Sequence, residues 1–367
     1  MKLSCKQKNL NIALSLVSRF VASKTTTLPI LNNILLTTDK GRLKVSATNL
    51  EIGINTWVGA KIDKEGAYTI PSRLFMDFVS TNNDEIINIS LKDNSLLLES
   101  DKYKAKIKGI DSSEFPLIPN ISNSSPITVP AGEFKQAISE TVFACALDET
   151  RPILNGLYLI IKDNKMALVA TDSYRLAEKT INLKNNIDTN VSVIIPARTM
   201  VEVSRIINDE EEINIILGDN QIQFNVGETE LVSRVIEGNF PDYKQIIPKS
   251  YSVVSDVDVN ELKNAIKMAS YFVRESANNI RLKIEEESLV VSSFSSEVGD
   301  SLSQISAKTQ GGGLEVIFNA KYILDVLNIV SSASVQLKFN DKMTPCMISP
   351  VDAKDYTYII SPIRVEE

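Results

Sequence analysis

The chain resembles itself at a period of about 125 residues, and this internal repeat restricts its possible folds more than any other feature. An amphipathic helix pattern occurs early in each third, beginning at Asn9, Gly132 and Asn260. Apolar residues at i, i+3, i+4 and i+7 allow each helix to bury one stripe and leave the other free. Because solenoid repeats are much shorter, the period predicts three whole domains joined end to end.

A second helix pattern recurs later in each third, in the segments IPSRLFMDFVS, IPARTMVEVSRII and FNAKYILDVLNIV. Pro71 and Pro196 stand at the start of the first two helices, where a missing N–H group is harmless. Asn319 stands at the same place in the third and can cap that helix through its side chain.

Between the two helices of each third lies an alternating segment: RLKVSATNLEIGI, KMALVATDSYRLA or ESLVVSSFSSEVGD. Each is typical of two strands around a tight corner. One repeat is therefore helix–strands–helix–strands, and the predicted class is α+β, with two helices packed on an antiparallel sheet. Polar, turn-rich stretches place the predicted boundaries at 1–123, 124–250 and 251–367.

The composition excludes several kinds of site. The 367 residues include no histidine, which removes Ser-His-Asp and Cys-His catalysis and histidine metal ligands. Cys5, Cys145 and Cys346 fit no metal-binding or disulfide spacing, which favours a reducing cytoplasm. Neither a metal nor a cofactor is expected. A net charge of −7 means that any nucleic-acid role requires positive residues gathered on one surface.

Six segments in a fixed order carry a resemblance to a known family: TLPILNNILL, LNGLYL, ATDSYRLA, EGNFPDYKQIIP, FNAKYILDVLN and SPIRV. The sequence resembles the bacterial β sliding clamps, the β subunits of DNA polymerase III, over essentially its full length. The resemblance implies three tandem DNA-clamp-type domains that form half of a six-domain ring. It also implies a non-catalytic homodimer, head to tail, that encircles double-stranded DNA without reading its sequence. Polymerase subunits and the clamp loader would dock through short linear peptides.

The expected DNA contacts are basic residues of the helices that line such a ring. Lys24 and Arg73 resemble family positions that contact DNA in the first domain. Predicted lining helices also carry Arg198, Arg205, Lys263 and Lys267, interspersed with acidic residues. This mild positive charge suits capture with mobility, because phosphate contacts that are tight and local would stop sliding. The alternative is that these residues are ordinary solvated helix faces.

Opposite charges near the two ends of the chain predict the seam of the ring. The segment DKYKAKIKG places Lys102, Lys104 and Lys106 on one strand face, and the third domain offers Glu297 and Asp300. Ile107, Tyr271 and Phe272 are expected to add apolar contacts there. The alternatives are that the lysines protect an edge strand and that the two aromatic residues belong to the core of the third domain.

The resemblance also implies a hydrophobic peptide groove between the second and third domains. Its expected residues are Arg151, Leu154, Thr171, Ser173, Tyr174, Arg175, Leu176, Pro241, Ile246, Asn319, Tyr322, Met343, Ile359, Ile360, Ser361, Pro362, Ile363 and Arg364. Aliphatic side chains would take apolar anchors, and Arg151, Arg175 and Arg364 would meet carboxylates or peptide carbonyls.

Two other functions compete with the clamp. An enzyme would have to use carboxylates such as Asp172 and Glu178, but the chain has no phosphate-binding loop and no histidine base. A peptide-binding scaffold without DNA would share the groove but would leave the repeated, charged helices unexplained.

Overall fold

The computed structural model describes residues 1–22, 28–121, 125–148, 150–183, 190–208, 211–273, 278–351, 353 and 355–364. Its helices are α1 Gln7–Val17, α2 Ser72–Thr81, α3 Ala131–Thr141, α4 Ala197–Ile206, α5 Val259–Ser270 and α6 Ala320–Leu327. Two helices in each third of the chain are as the amphipathic patterns predicted. None of these helices is long and apolar enough to cross a bilayer.

The strands follow the predicted order around the helices. They are β1 Lys2–Lys6, β2 Asn33–Asp39, β3 Arg42–Thr48, β4 Ile52–Lys64, β5 Ala67–Pro71, β6 Ile86–Lys92, β7 Ser95–Glu99, β8 Lys104–Lys108, β9 Ile127–Pro130, β10 Gly156–Lys162, β11 Lys165–Thr171, β12 Arg175–Asn182, β13 Val191–Pro196, β14 Glu212–Leu217, β15 Gln221–Val226, β16 Thr229–Arg234, β17 Val253–Asp258, β18 Asn279–Ile284, β19 Ser288–Ser295, β20 Gly299–Gln310, β21 Leu314–Asn319, β22 Ser334–Phe339, β23 Cys346–Pro350 and β24 Tyr356–Ile360.

The chain divides into two compact units. The first comprises Met1–Gly132 and Arg205–Val235. Its sheet runs β8-β7-β6-β1-β4-β16-β15-β14-β9, with β3 also paired to β4 and β2 paired to β3 and β5. Helices α1 and α2 pack on each other, and the buried stripe of α1 covers β3 and β4. This is the two-layer arrangement that the sequence predicted for the first third.

The second unit comprises Glu133–Ser204 and Ile236–Glu367. Its sheet runs β13-β10-β11-β12-β24-β23-β22-β17-β20-β19-β18-β21. Helices α5 and α6 pack together, and α5 lies against β17, β18, β19 and β20. The register of β12 with β24 sets Leu176 opposite Ile359 and Arg175 opposite Ile360.

The strands of the central third are shared between the two units. Strands β9, β14, β15 and β16 belong to the first sheet, where β16 pairs with β4. Strands β10 to β13 belong to the second sheet, where β12 pairs with β24. Strands of the central third thus extend the sheets of their neighbours, which covers edges that would otherwise stay open. The domain boundaries at 123/124 and 250/251 stay a prediction.

Local chemistry explains how several elements begin. The Asn319 side chain accepts a hydrogen bond from the Lys321 backbone N–H, which confirms the predicted cap of α6. Asp258 caps α5 in the same way, accepting from the N–H groups of Asn260 and Glu261. The corners predicted after β3 and β11 each contain one residue with positive φ, Leu50 at 76° and Ser173 at 78°.

Candidate functional site: a docking surface, a seam and helix-borne cations

The corner between β11 and β12 is held by its own side chains. The Asp172 carboxylate accepts hydrogen bonds from the backbone N–H groups of Tyr174 and Arg175, at 2.9 and 3.0 Å. The Thr171 hydroxyl donates to the Arg175 carbonyl at 2.6 Å and accepts from the Ser173 N–H. This turn buries Thr171 but leaves the Tyr174 side chain 60% exposed. The sequence ATDSYRLA therefore builds a rigid turn with a projecting aromatic ring.

The Arg175 side chain is held by contacts inside the protein. Its guanidinium donates to Asp172, to Asp325 of α6 and to the Phe143 carbonyl, and it lies over the rings of Phe143 and Tyr322. Burial by itself would lower the pKa of the Arg175 guanidinium, but its interactions with Tyr358, Asp325 and Asp172 outweigh burial and raise that pKa. All three guanidinium nitrogens of Arg175 thus already donate within the protein, and its contact with a peptide stays a prediction.

A buried apolar cluster lies beside this corner. Val169 and Leu176 pack with Tyr243 and Ile359, all nearly inaccessible to solvent. The side chains packed against this cluster are only partly buried: Tyr158, Ile160, Phe240, Ile247 and Met347. Phe240 stacks on Tyr158, with ring centroids 4.6 Å apart. The cluster can therefore form the floor of an apolar surface.

Tyr243 and Glu178 also belong to this region, but the sequence did not predict either as a groove residue, and Glu178 was considered only as a carboxylate for an enzyme. The Tyr243 hydroxyl donates to the Glu178 carboxylate at 2.9 Å. Burial and the nearby carboxylate raise the pKa of Tyr243. The signal was present in the segment EGNFPDYKQIIP, where an aromatic residue stands between polar neighbours, but its partner lies 65 residues away.

The C-terminal segment 361–364 continues from β24 outside any helix or strand. The Ser361 N–H donates to the Tyr174 carbonyl, and the Ile363 N–H donates to the Ile317 carbonyl of β21, both at 2.8 Å. The segment is thus hydrogen-bonded to the corner at one residue and to β21 at another. The Tyr174 ring stacks on Tyr322 with centroids 6.4 Å apart, next to this segment's attachment.

The expected groove residues differ in exposure. Buried members are Leu154, Thr171, Arg175, Leu176, Ile359 and Ile360; half-buried members are Asn319, Tyr322, Ser361, Pro362 and Ile363; exposed members are Arg151, Ser173, Tyr174, Pro241, Ile246, Met343 and Arg364. Three of the exposed residues are large and apolar, namely Tyr174, Ile246 and Met343. This combination of apolar floor and exposed apolar rim suits a peptide with hydrophobic anchors.

The two carboxylates that an enzyme would have to use, Asp172 and Glu178, are engaged in contacts within the protein. Asp172 holds the corner and pairs with Arg175, and Glu178 accepts from Tyr243. Among the described residues, no group of three or more Cys, Asp or Glu side chains is arranged to hold a metal ion. These contacts give Asp172 and Glu178 structural roles.

The expected DNA-contacting cations are on helices wherever the structure describes them. Arg73 is on α2, Arg198 and Arg205 are on α4, and Lys263 and Lys267 are on α5. Lys263 is half-buried and the other four are exposed. Lys24 lies outside the described residues. Four of the five described cations are thus exposed where phosphates could reach them, and the contact of all five with DNA stays a prediction.

The expected seam residues lie in three places of the fold. Lys104, Lys106 and Ile107 are on β8, and Lys102 precedes it, with its Nζ 3.9 Å from Asp84. Tyr271 and Phe272 follow α5 and are exposed and half-buried, respectively. Glu297 and Asp300 are exposed near the turn from β19 to β20. The assignment of these residues to a seam stays a prediction.

Comparisons with known proteins agree with this architecture. Models of the DNA polymerase III beta subunit match its N-terminal domain at residues 1–119, its central domain at 128–242 and its C-terminal domain at 244–364. The beta sliding clamp of Staphylococcus aureus is 31% identical over 354 residues, which covers 93% of this chain and 94% of that protein. The DNA polymerase sliding clamp of Bacillus subtilis superposes with a TM-score of 0.96 at 28% identity, over 100% of both chains.

A sliding clamp from Pseudomonas aeruginosa bound to griselimycin superposes with a TM-score of 0.95 at 26% identity, again over 100% of both chains. The three domain matches together span nearly the whole sequence. The chain therefore belongs to the DNA polymerase III beta subunit family, the bacterial sliding clamps, and is a non-catalytic processivity subunit rather than an enzyme.

Proposed function

We propose that this sliding clamp docks polymerases and the clamp loader on one surface of the second unit. The docking surface comprises the corner 172–174, the turn Tyr243–Ile246 and the segment 361–364. The observation that carries the proposal is the apolar cluster of Leu176, Ile359 and Tyr243, flanked by exposed Tyr174 and Ile246. A short peptide would place its apolar side chains against this cluster and the exposed apolar side chains beside it.

The cations around the docking surface have separate roles in this proposal. Arg151 and Arg364 are exposed and can reach carboxylates or carbonyls of a peptide. The Arg151 Nη1 donates to the Ser173 hydroxyl at 3.3 Å, which holds the side chain near the corner. Arg175 contributes indirectly, because its contacts with Asp172 and the Tyr322 ring hold the corner next to which the exposed residues lie.

The clamp encircles double-stranded DNA as a homodimer, and the contact with DNA is independent of sequence. We assign that contact to Arg73, Arg198, Arg205, Lys263 and Lys267, which the helices carry as separate positive charges. Distributed contacts of this kind hold phosphates weakly and release counterions, so affinity falls as salt rises. The protein would act in the cytoplasm; the three described cysteines, buried and unpaired, suit a reducing compartment.

Peptide binding tests the docking surface directly. The probe is a fluorescent peptide from the polymerase subunit that carries the clamp-binding segment, titrated with the full-length protein. Tyr174→Ala, Ile246→Ala and Arg364→Ala should each weaken binding by about tenfold, the effect expected for losing an anchor contact worth about 1.4 kcal/mol.

Leu117→Ala is the matched control, since Leu117 is 91% exposed but belongs to the first unit. It should leave peptide affinity unchanged. Equal affinity in all three docking-surface variants and the control would show that the peptide binds elsewhere.

A further inference from the structure

The corner after β3 has the same hydrogen bonds as the corner of the docking surface. The Asn49 side chain accepts from the backbone N–H groups two and three residues later, at 3.0 and 2.8 Å. The Thr48 hydroxyl donates to the carbonyl four residues later and accepts from the Leu50 N–H, both at 3.0 Å. Asp172 and Thr171 make the same four bonds in the second unit. Because the bonds match one for one, the two corners are the same turn.

The strands beside the two corners pair in the same register. Val232 of β16 lies opposite Gly53 of β4, just as Ile359 of β24 lies opposite Leu176 of β12. The Arg234 N–H then donates to a carbonyl of its corner at 3.0 Å, and the C-terminal segment makes the corresponding bond at 2.8 Å. The first unit therefore contains the same backbone frame as the docking surface.

The turn before β2 extends this match. The Leu31 N–H donates to the Leu28 carbonyl at 3.1 Å, and the Leu154 N–H donates to the Arg151 carbonyl at 3.0 Å. The sequences at the two turns, LPILN and RPILN, differ only at the first residue. Leu28 therefore stands where the docking surface has Arg151.

The linker after β8 supplies apolar atoms to this frame. The segment LIP at 117–119 corresponds to IIP at 246–248, and in each the first residue is exposed and the second is half-buried. Ile118 packs so closely on Gly53 that a Cβ added to the glycine would lie 2.8 Å from the Ile118 Cγ2. Ile118 thus covers from the linker the position that Leu176 occupies with its own side chain.

Three leucines are exposed around the frame. Leu28 is 45% exposed, Leu50 is 47% exposed and Leu117 is 91% exposed. They stand at the places of an arginine, a serine and an isoleucine of the docking surface. Scattered exposed apolar residues are common, but three around one frame indicate a surface that becomes covered.

The backbone of Leu50 points the same way. Its φ is 76°, in the left-handed region that aliphatic residues rarely adopt. The side-chain bonds of Asn49 and Thr48 hold the corner in this conformation, although the exposed leucine gains little burial from it. Backbone strain that is held in place by its surroundings concentrates at ligand-binding surfaces.

We propose that a second short linear peptide docks on this leucine surface. The leucine surface comprises Leu28, the corner 48–52, Leu117, Ile118 and Arg234, all in the first unit. The proposal rests on the docking function proposed for the second unit, because the shared frame identifies the occupant as a peptide of the same class. The apolar side chains of that peptide lie against the leucines and Ile118.

The leucine surface differs from the docking surface in charge. Leu28 replaces Arg151, and the exposed side chains of Glu51 and Arg234 carry opposite charges. A peptide is therefore held by its aliphatic or aromatic anchors, with little contribution from its carboxylates. Binding is consequently weaker than on the docking surface, and salt does not weaken it further.

Calorimetric titration of the full-length protein tests the proposal. The probe is the polymerase peptide that tests the docking surface, added far beyond saturation of the first site. Two peptides should bind per chain, the second at least about tenfold more weakly than the first. The weak step should persist in 1 M NaCl, whereas the tight step should lose affinity, because salt screens the contacts of Arg151 and Arg364.

Substitutions assign each step to its surface. Leu50→Ser combined with Leu117→Ser should abolish the weak step and leave the tight step unchanged, whereas Tyr174→Ala should do the reverse. Failure of the docking surface would thus appear in the tight step alone. Ile12→Ser is the matched control, since Ile12 is 54% exposed on α1 of the same unit. It should leave both steps unchanged.

Two results would overturn the proposal. The first is a wild-type protein that binds one peptide per chain; if the double serine variant then also dimerises less tightly, a second copy covers the leucines instead. The second is a weak step that survives the double variant or is lost equally in Ile12→Ser, which would show unspecific apolar binding.

Discussion

Arg175→Ala is the substitution with the largest expected effect on the fold. Arg175 is 7% exposed, donates to Asp172, Asp325 and the Phe143 carbonyl, and lies between two aromatic rings. Removing one partner of a buried ion pair costs about 3–5 kcal/mol, because it leaves charges unpaired. Asp325 is 26% exposed at its side chain and can regain some hydration, so we expect a loss near the lower end, about 3 kcal/mol.

Calorimetry of the full-length protein measures this loss. The second unit has roughly 200 residues, for which about 3 kcal/mol corresponds to a fall in Tm of about 6–12 °C. Arg364→Ala is the control, because an exposed substitution should change stability by no more than about 0.5 kcal/mol. Arg175→Lys should recover only part of the loss, since an ammonium group cannot reproduce the planar fork. An Arg175→Ala protein that melts with the wild type would refute the structural role of this residue.

Three further substitutions or reactions test local geometry. Ser173→Gly should stabilise the protein by about 1 kcal/mol, whereas Ser173→Val should destabilise it, because φ is 78° there; a thermal melt in which the glycine variant has a lower Tm than the wild type, or the valine variant a higher one, would contradict this. Gly109→Ala should lower stability by about 2 kcal/mol or more, since an added Cβ would meet the Thr69 carbonyl oxygen, whereas Gly59→Ala, with open space around it, serves as the control. Unfolding of the first unit can be followed by the fluorescence of Trp57, the chain's single tryptophan. Equal unfolding curves for the two glycine variants would count against the close approach of Gly109 to Thr69. Burial raises the pKa of the Cys5 and Cys145 thiols to about 12, so a thiol reagent at pH 8 should react with neither until the protein unfolds; stoichiometric labelling of the native protein would contradict their burial.

The sequence was sufficient wherever structure depends on nearby residues. Apolar spacing identified the six α-helices of the described residues, and Asn319 was recognised as a cap because its side chain has to accept a hydrogen bond only from a backbone N–H two residues later. The corner ATDSYRLA was also predicted, since Asp172 and Thr171 bond to backbone groups within four residues.

Long-range contacts account for what the sequence did not predict. Two of the three partners of the Arg175 guanidinium, the Phe143 carbonyl and Asp325, lie 32 and 150 residues away, so the sequence around Arg175 does not show that it is buried whereas Arg364 is exposed. The sharing of the central third between two sheets depends on the pairing of β16 with β4 and of β12 with β24. The sequence also did not predict that Phe294, in the segment SSFSS, is 75% exposed, because the strands that pair with β19 decide which face Phe294 occupies.

Topological retention on DNA tests the central claim most directly. The full-length protein is loaded onto nicked circular duplex DNA and the complex is isolated by gel filtration, before and after cutting the circle with a restriction enzyme. A homodimeric clamp with weak, distributed phosphate contacts should stay on the circle and leave when the DNA is linear. Equal retention on circular and linear DNA, or release from both at the same rate, would contradict the account.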